Sequence, residues 1–413
     1  MAVLRKFKAL RPESGLEDKV ASYPYDVLDS GEARELVKDN EYSFLHVVKP
    51  EVDLPQGTDL YSQEVYDKAR ENLERFIDKG ILIQEESPCL YIYRQIMNGR
   101  EQYGIVGCVS VDDYDQDVIK KHEHTRPKKE ADRIKHVDVT NVNAGPIFLT
   151  YRSRDKVSRL VEEAVKKDPV YDFTASDGIQ HTVWIVDDDK ADKIIAEFGS
   201  IDTLYVADGH HRSASAAKVA NMRRNADPDH TGEEEYNYFL AVLFPDVQLQ
   251  ILDYNRVLKN LNDHPPEKLF KALRENFTVE KKGEDPYKPR EKGEFGMYFD
   301  GQWYKLTAKP EKRVKDDPVK SLDISFLQDN LLSPFFGIED PRTSENIDFV
   351  GGIRGLKELK RLVDSGDYRA AFAVHPVSIQ ELMRIADAGK VMPPKSTWFE
   401  PKLRSGLLIH SLS

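Results

Sequence analysis

The spacing of hydrophobic and polar positions predicts alternating helices and strands along this chain. Between residues 62 and 82, apolar side chains recur every three or four positions, so this segment is predicted to be one amphipathic helix. Two apolar runs then flank Asn98-Gly99, a dipeptide that is typical of tight turns. Residues 88–111 are therefore predicted to form a β-hairpin.

The middle of the chain alternates between strand and helix patterns. The predicted elements are a strand at 181–188, a helix at 188–197, a strand at 203–207, a helix from about residue 210, and strands at 238–244 and 249–258. This alternation is the signature of an α/β layer, so a mixed α/β fold is expected.

Composition is that of an ordinary globular protein, with 413 residues, 40% hydrophobic and 32% charged. The 60 Lys and Arg against 72 Asp and Glu residues give a formal net charge of −12, which disfavours nucleic acid and anionic membranes as partners. No apolar run approaches the roughly 18 residues of a membrane span, and the start lacks the apolar core of a signal peptide. Together with only two cysteines, this favours a cytoplasmic location.

The stretch LYVADGHHRSASAAK places polar or flexible residues between a predicted strand and a predicted helix. A strand that enters a helix through Asp208-Gly209 brings backbone N–H groups and the positive end of the helix dipole together, which favours an anion such as phosphate. Arg212 offers a planar fork for phosphate, and His210 and His211 can donate to a phosphoryl oxygen or transfer a proton. The alternative is a helix N-cap at Asp208 with partly exposed histidines in the first turn.

Residues 115–136 have a polar, helical pattern and contain a second cluster, KKHEHTRPKKEADR. Glu123 is flanked by His122 and His124, and Arg126 with its neighbouring cations surrounds them. This combination suits a carboxylate general base beside bound phosphates, because nearby cations keep a carboxylate ionised. On extended backbone His-x-His can instead chelate Zn²⁺. The remaining alternative is a solvated helix that bends before its proline.

A third segment, PPKSTWFEPKLRSGL, supplies cations and hydroxyls in a loop bounded by proline and glycine. Lys395, Ser396 and Lys402 are its candidate ligands for an anionic substrate, and a plain surface loop is the alternative. The chain contains no GxxxxGK[ST], GxGxxG, CxxC, HExxH or GxSxG motif. The absence of these motifs argues against ordinary P-loop and Rossmann enzymes and against the common zinc and serine hydrolases, and no metal ligand is assigned.

Four segments resemble the bacterial and archaeal domain-of-unknown-function 1015 family, and they occur here in the same order as in that family. They are PYDVLDSGEA, HEHTRPKKEADR, ADGHHRSASA and MPPKSTWFEPKLRSGL. The ADGHHR portion separately resembles the Gly-x-x-Arg signature of the ParB/sulfiredoxin superfamily, and its Asp-Gly-His-His-Arg sequence is similar to that of the free-serine kinases. The resemblance implies a ParB/sulfiredoxin-like core with large N- and C-terminal elaborations. The expected parts are an N-terminal elaboration at 1–115, a catalytic core at 116–280 and a C-terminal subdomain with a closing loop at 281–413.

The same resemblance implies phosphoryl transfer on the hydroxyl of free serine, as a kinase or in the reverse, phosphoserine-consuming direction of serine biosynthesis. Mg²⁺ and ATP or ADP are the implied cofactors, and serine, phosphoserine and nucleotide are the implied small-molecule partners. The expected catalytic residues are Glu123, Asp208, His210 and His211. The expected phosphate and substrate ligands are Gly209, Arg212, His122, His124, Arg126, Lys395, Ser396 and Lys402.

Two other functions stay open at this point. One is a metal-dependent hydrolase, for which the chain offers His122, His124, His210 and His211. The other is a non-catalytic, nucleotide-binding regulator of the ParB type. A DNA-binding role is not expected, because neither a helix-turn-helix pattern nor a basic face is evident. The sequence leaves the oligomeric state open.

Overall fold

A computed structural model describes residues 1–413, and the chain divides into two compact units. The first unit consists of Met1–Leu249 together with Pro401–Ser413, and the second is Gln250–Glu400. The sequence-based division has three parts instead, at 1–115, 116–280 and 281–413. That the predicted parts act as elaboration, core and closing element stays a prediction.

The strands are short and occur along the whole chain. In chain order they are β1 (Leu4–Arg5), β2 (Ala9–Pro12), β3 (Leu82–Gln84), β4 (Tyr91–Met97), β5 (Arg100–Ser110), β6 (Ile119–Lys120), β7 (Val142–Asn143), β8 (Ile147–Tyr151), β9 (Tyr171–Thr174), β10 (Gln180–Ile185), β11 (Leu204–Asp208), β12 (Tyr238–Pro245), β13 (Gln250–Leu252), β14 (Tyr254–Leu258), β15 (Phe277–Gly283), β16 (Glu294–Phe299), β17 (Gln302–Ala308), β18 (Ile347–Gly351), β19 (Ala370–Val374), β20 (Trp398–Glu400) and β21 (Ile409–Ser411).

The helices alternate with these strands. They are α1 (Glu17–Val20), α2 (Ser30–Val37), α3 (Leu45–Val48), α4 (Gln63–Asp78), α5 (Val111–Asp115), α6 (Pro127–Thr140), α7 (Asp155–Ala164), α8 (Asp188–Phe198), α9 (His210–Ala226), α10 (Pro266–Asn276), α11 (Asp323–Leu327), α12 (Ser333–Phe336), α13 (Gly355–Asp364) and α14 (Ile379–Asp387). No helix is both long and apolar enough to cross a membrane.

The main sheet of the first unit has nine strands, in the order β6-β11-β8-β12-β5-β4-β10-β9, with β1 paired to β5. Its apolar side chains form one core with α7, α8 and α9, to which Val157, Ile194 and Ala217 belong. β6 and β11 are parallel neighbours, so their carboxyl ends, at Lys120 and Asp208, lie at the same edge of the sheet. Two of the three segments that the sequence singles out, at 120–133 and 204–218, follow these strand ends.

A second, four-stranded sheet of the first unit has the order β3-β2-β21-β7. Its strand β21 comes from the C-terminal segment and pairs with β2 on one side and β7 on the other. Phe44, Phe76 and Ile409 are buried in the core beside it. The C-terminal segment is therefore an integral part of the first unit.

The second unit contains a six-stranded antiparallel sheet in the order β15-β17-β16-β19-β14-β18. Val257, Trp303, Leu359 and Ala371 are buried in its core, and Leu359 belongs to α13. A two-stranded ribbon, β13-β20, contains both ends of the unit's sequence.

The expected mixed α/β fold is confirmed, and most predicted elements are present. The helix expected at 62–82 is α4, and the predicted hairpin is β4-β5, with Asn98 and Gly99 at φ 52° and 77° in its turn. The strand expected at 249–258 is two strands, β13 and β14.

One predicted helix is wrong over half of its length. Residues 115–136 were expected to be helical, but α6 begins only at Pro127, and β6 with an irregular loop precedes it. Arg126 is extended, with φ −91° and ψ 125°, because the following proline disfavours helical geometry at that position. His122, Glu123 and His124 therefore lie on the loop that follows β6.

Candidate functional site

A single residue, Gly209, joins the end of β11 at Asp208 to the start of α9 at His210. Gly209 has φ 97° and ψ 30°, in the left-handed region that costs a residue with a Cβ atom about 1–2 kcal/mol. The first-turn amides of the 17-residue helix α9 have no acceptor within the helix. We call this segment, Asp208 to Arg212, the junction, and its geometry is of the kind that favours an anion.

The Arg212 side chain folds back over the junction. A Cβ atom on Gly209 would lie 3.2 Å from Cζ, Nε and Nη2 of Arg212, so the guanidinium is packed against the glycine. Nη1 donates to the backbone carbonyl of Pro146, whereas Nε is buried and has no hydrogen-bond partner. An unsatisfied buried donor costs about 1–3 kcal/mol, and an anion at the junction would satisfy it.

Lys402 is held at the junction through Asp208. Its Nζ donates to Oδ2 of Asp208 at 2.9 Å, and the amide of Gly209 donates to Oδ1 at 2.9 Å. Burial by itself raises the pKa of the Asp208 carboxyl, but Lys402 and Arg212 outweigh burial and hold that pKa well below its usual range. Asp208 is therefore an ionised carboxylate with a hydrogen bond to each oxygen.

Two buried histidines meet beside the junction. Nε2 of His122 lies 3.3 Å from Nε2 of His210, and the two rings are nearly perpendicular. Only 1% of His122 and 7% of His210 are exposed. Burial lowers the pKa of His122 to about 4, and burial together with the neighbouring His122 holds the pKa of His210 well below its usual value. Both imidazoles are therefore neutral at pH 7.

Glu123 belongs to the same cluster. One ligand atom from each of His122, Glu123 and His210 lies within 4.8 Å of the others. Glu123 is half-buried, and His210 is the first residue of α9. The structure thus brings the carboxylate expected to be the base to the junction, although 87 positions separate Glu123 from His210 in the sequence.

The loop after β6 is also bound to α9 through polar contacts. Nε2 of His211 accepts a hydrogen bond of 3.0 Å from the backbone amide of Arg126, whose side chain is exposed. The Thr125 hydroxyl donates to Glu130 of α6, and Glu130 lies 3.0 Å from Nζ of Lys218 on α9. His211 therefore contacts the loop backbone through one ring nitrogen, whereas the His122 ring packs against His210.

The surroundings of three other expected ligands are also described. His124 is exposed on the loop, so the two histidines of His-x-His do not share a buried face. Lys395 and Ser396 belong to the second unit. There Nζ of Lys395 lies 5.6 Å from the ring centre of Tyr254, and the Ser396 hydroxyl donates to the carbonyl of Pro393.

A cavity beside Arg212 has lining residues that no sequence pattern singled out as ligands. It is lined by, among others, Tyr25, Arg133, Ser215 and Ser405. The Arg133 guanidinium lies 4.1 Å from the ring centre of Tyr25. Tyr25 and Arg133 fall within the family segments PYDVLDSGEA and HEHTRPKKEADR. Because they are far apart in the sequence, no local pattern predicts their contact.

These features define an α/β protein with a cationic strand–helix junction beside a cluster of two histidines and a glutamate. The chain belongs to the family described as "Protein of unknown function (DUF1015)", whose model matches residues 4–325. The family expected from the sequence is therefore confirmed. A search of curated proteins returns no match.

Several solved structures are similar to parts of this chain. A mutant free serine kinase in complex with ADP is 14% identical and covers 74% of this chain and 92% of its own, at a TM-score of 0.36. A conserved hypothetical protein from Pyrococcus furiosus is also 14% identical, covers 74% and 95%, and has a TM-score of 0.34. SbnI from Staphylococcus aureus is 11% identical, covers 74% and 87%, and has a TM-score of 0.37. Nothing about activity follows from TM-scores this low.

Proposed function

We propose that this chain is a phosphotransferase that moves a phosphoryl group to or from the hydroxyl of free serine. The observation that carries the proposal is the junction, where the N-terminus of α9 and the unpartnered Nε of Arg212 meet at Gly209. The choice of serine rests on the Asp-Gly-His-His-Arg resemblance to the free-serine kinases. Both the kinase direction and the phosphoserine-consuming direction belong to the proposal.

The charges at the junction suit phosphoryl transfer. This chemistry needs little covalent work from the protein, since positioning and charge stabilisation supply most of the reduction in barrier. Arg212 contributes a guanidinium, Lys402 contributes an ammonium held by Asp208, and α9 contributes roughly half a positive charge at its N-terminus. Asp208 acts in this scheme as a positioning residue, because both of its oxygens are engaged.

Glu123 is the proton acceptor in this proposal. It would take the proton of the serine hydroxyl as the hydroxyl oxygen attacks phosphorus, a contribution of typically about 10²–10⁴ in rate. Its proximity to His210 supports the role, because His210 begins the helix whose N-terminus would hold the phosphate. The low pKa values of His122 and His210 make both rings poor proton donors at pH 7.

ATP or ADP and Mg²⁺ complete the proposal as cofactors. The junction fits the phosphates of a nucleotide, because it offers first-turn amides and an unsatisfied guanidinium N–H. Mg²⁺ prefers oxygen ligands and is usually held through substrate phosphates, which suits a junction whose own carboxylate is already engaged. Bound there, Mg²⁺ would neutralise charge on the transferred group.

The test is turnover by the purified full chain with Mg²⁺. O-phosphoserine is supplied with and without ADP, and serine is supplied with ATP or with ADP. The products are measured by phosphorus NMR and amino-acid chromatography. Conversion in at least one combination, lost in Glu123→Gln and retained in the exposed α7 variant Arg159→Gln, is expected. Nucleotide binding without conversion in any combination would reject the enzyme and favour the non-catalytic regulator.

A further inference from the structure

His122 and His210 face each other through their Nε2 atoms. Their Nε2 atoms are 3.3 Å apart, and two neutral imidazoles can share only one proton across that gap. A metal ion between the two rings would engage the lone pairs of both Nε2 atoms in place of this single shared proton.

The 3.3 Å separation matches that of two nitrogen ligands on one ion. Zn–N bonds of about 2.0–2.1 Å at a tetrahedral angle place the two nitrogens about 3.3 Å apart. Glu123 adds a carboxylate as a third donor, and one ligand atom from each of the three residues lies within 4.8 Å of the others. Two imidazoles and one carboxylate form the donor set of open transition-metal sites.

The fold fixes the elements that carry these donors. His122 and Glu123 follow β6 directly, and His210 begins α9 one residue after β11. β6 and β11 are hydrogen-bonded parallel neighbours, so the segments that follow the two strands leave the sheet at the same edge. A metal ion at this edge would therefore meet ligands from two neighbouring segments, and the rings would have to turn only slightly to aim both Nε2 atoms at it.

We propose that Nε2 of His122, Nε2 of His210 and one carboxylate oxygen of Glu123 bind one divalent transition-metal ion, with Zn²⁺ as the best match. The nitrogen-rich donor set separates this site from the oxygen-binding Mg²⁺ expected at the phosphates. It also replaces the four-histidine set considered from the sequence, because His124 is exposed and Nε2 of His211 is bound to the loop backbone.

The metal site deepens the proposed function and, in its catalytic part, rests on it. His210 belongs both to this site and to the helix start that would hold the phosphate, so the ion and the transferred group share one end of α9. Glu123 binds the ion through one oxygen, and its other oxygen takes the proton of the serine hydroxyl. The hydroxyl oxygen then forms the new bond to phosphorus while the bond from phosphorus to its leaving oxygen breaks.

Metal binding is measured without any substrate. The full chain is stripped with a chelator and titrated with Co²⁺, whose visible absorption reports imidazole and carboxylate ligands, and bound Zn²⁺ is counted by atomic emission. One ion per chain is expected, with Co²⁺ displaced by Zn²⁺ and retained in a hundredfold excess of Mg²⁺. Wild-type protein that binds no Co²⁺ or Zn²⁺, or that releases Co²⁺ to Mg²⁺, overturns the assignment.

Variants identify the ligands. His122→Ala and Glu123→Gln should each weaken Co²⁺ binding at least tenfold. If circular dichroism shows that His122→Ala is unfolded, the Co²⁺ affinity of Glu123→Gln alone tests the ligand assignment. The matched control is His230→Ala, since Nδ1 of His230 lies 2.8 Å from Glu234 in another His–Glu pair. Folded ligand variants that bind Co²⁺ as tightly as this control contradict the site.

The two proposals can fail separately. Stoichiometric metal without turnover of serine or phosphoserine rejects the proposed function and supports the metal site. Turnover by protein that binds no Co²⁺ or Zn²⁺ on titration rejects the metal site and supports the proposed function, and turnover by stripped protein that does bind them rejects the catalytic part of the site.

Discussion

Nζ of Lys402 lies 2.9 Å from Oδ2 of Asp208, although 194 positions separate the two residues in the sequence. The Lys402 side chain is 13% exposed and that of Asp208 is 29% exposed, so water screens the pair only partly. The contact attaches the C-terminal segment to the end of β11. The Lys402 ammonium also balances the negative charge of the Asp208 carboxylate at the junction.

Replacing Lys402 should destabilise the first unit. Lys402→Met leaves the Asp208 carboxylate without its cation, and loss of one partner of a fully buried pair costs about 3–5 kcal/mol. Because this pair is partly exposed, we expect a decrease in the free energy of unfolding of about 1–3 kcal/mol. Urea unfolding measures it, and Lys167→Met, which breaks the exposed pair with Asp187, should cost less than about 1 kcal/mol. Equal losses of stability in the two variants would show that the Lys402–Asp208 pair contributes no more than an exposed ion pair.

Gly209→Ala should impair both stability and phosphate binding. The φ of 97° alone costs an alanine about 1–2 kcal/mol, and the new Cβ atom would lie 3.2 Å from the Arg212 guanidinium. Gly178→Ala is the matched control, since Gly178 has φ 80° and no atom within 4 Å of the added carbon. We expect similar losses of stability in thermal unfolding, but weaker binding of inorganic phosphate or ADP only in Gly209→Ala. Unchanged binding in calorimetry would remove Gly209 from the anion site.

Arg212→Lys should weaken binding of the phosphorylated substrate about tenfold or more. Lysine keeps the charge but loses the planar fork, including the buried Nε that has no partner in the structure. The expected kinetic result is a raised KM for the phosphorylated substrate, measured beside the exposed control Arg159→Lys. A KM equal to that of the control would place the phosphate elsewhere.

Stability should decrease as the pH falls from about 6.5 towards 4, because buried histidines resist protonation. Burial is the main cause that lowers the pKa of His136 to about 4, whereas the unfolded chain takes up this proton near 6.5. In this interval the unfolded state binds more protons, so the free energy of unfolding falls by up to about 1.4 kcal/mol per pH unit for each such group.

His136→Gln isolates one of these groups. Its amide can still donate to the carbonyl of Val47, which Nε2 of His136 contacts at 2.9 Å. Urea unfolding at pH 7 and pH 5 should show a smaller loss of stability for this variant than for wild type. The exposed-site variant His124→Gln should keep the wild-type pH dependence. The idea fails if both variants lose as much stability as wild type.

Local sequence patterns predicted the elements whose structure depends on neighbouring residues alone. The Asn98-Gly99 turn and the passage from β11 to α9 were predictable, because turn residues and hydrophobic spacing determine them. The loop that carries His122 and Glu123 was mistaken for helix, since a polar segment offers little periodicity and its conformation depends on pairing between β6 and β11.

Long-range contacts were beyond local patterns. Lys402 was selected as a cation in a loop, but its pairing with Asp208 follows from the return of the C-terminal segment to the first unit. The contact between Tyr25 and Arg133 likewise joins distant segments. The close approach of His122 to His210 needed two strand ends at one sheet edge, which spacing within either segment cannot reveal.

The position of β21 between β2 and β7 has a consequence for biosynthesis. A ribosome makes residues 250–400 before it makes β21, the strand that completes the first unit's smaller sheet. All residues of the second unit are therefore made before the first unit can complete its smaller sheet, although domains generally fold as units during synthesis. Asp208 meets Lys402 only after the whole second unit has been synthesised, so a nascent chain has no complete junction before then.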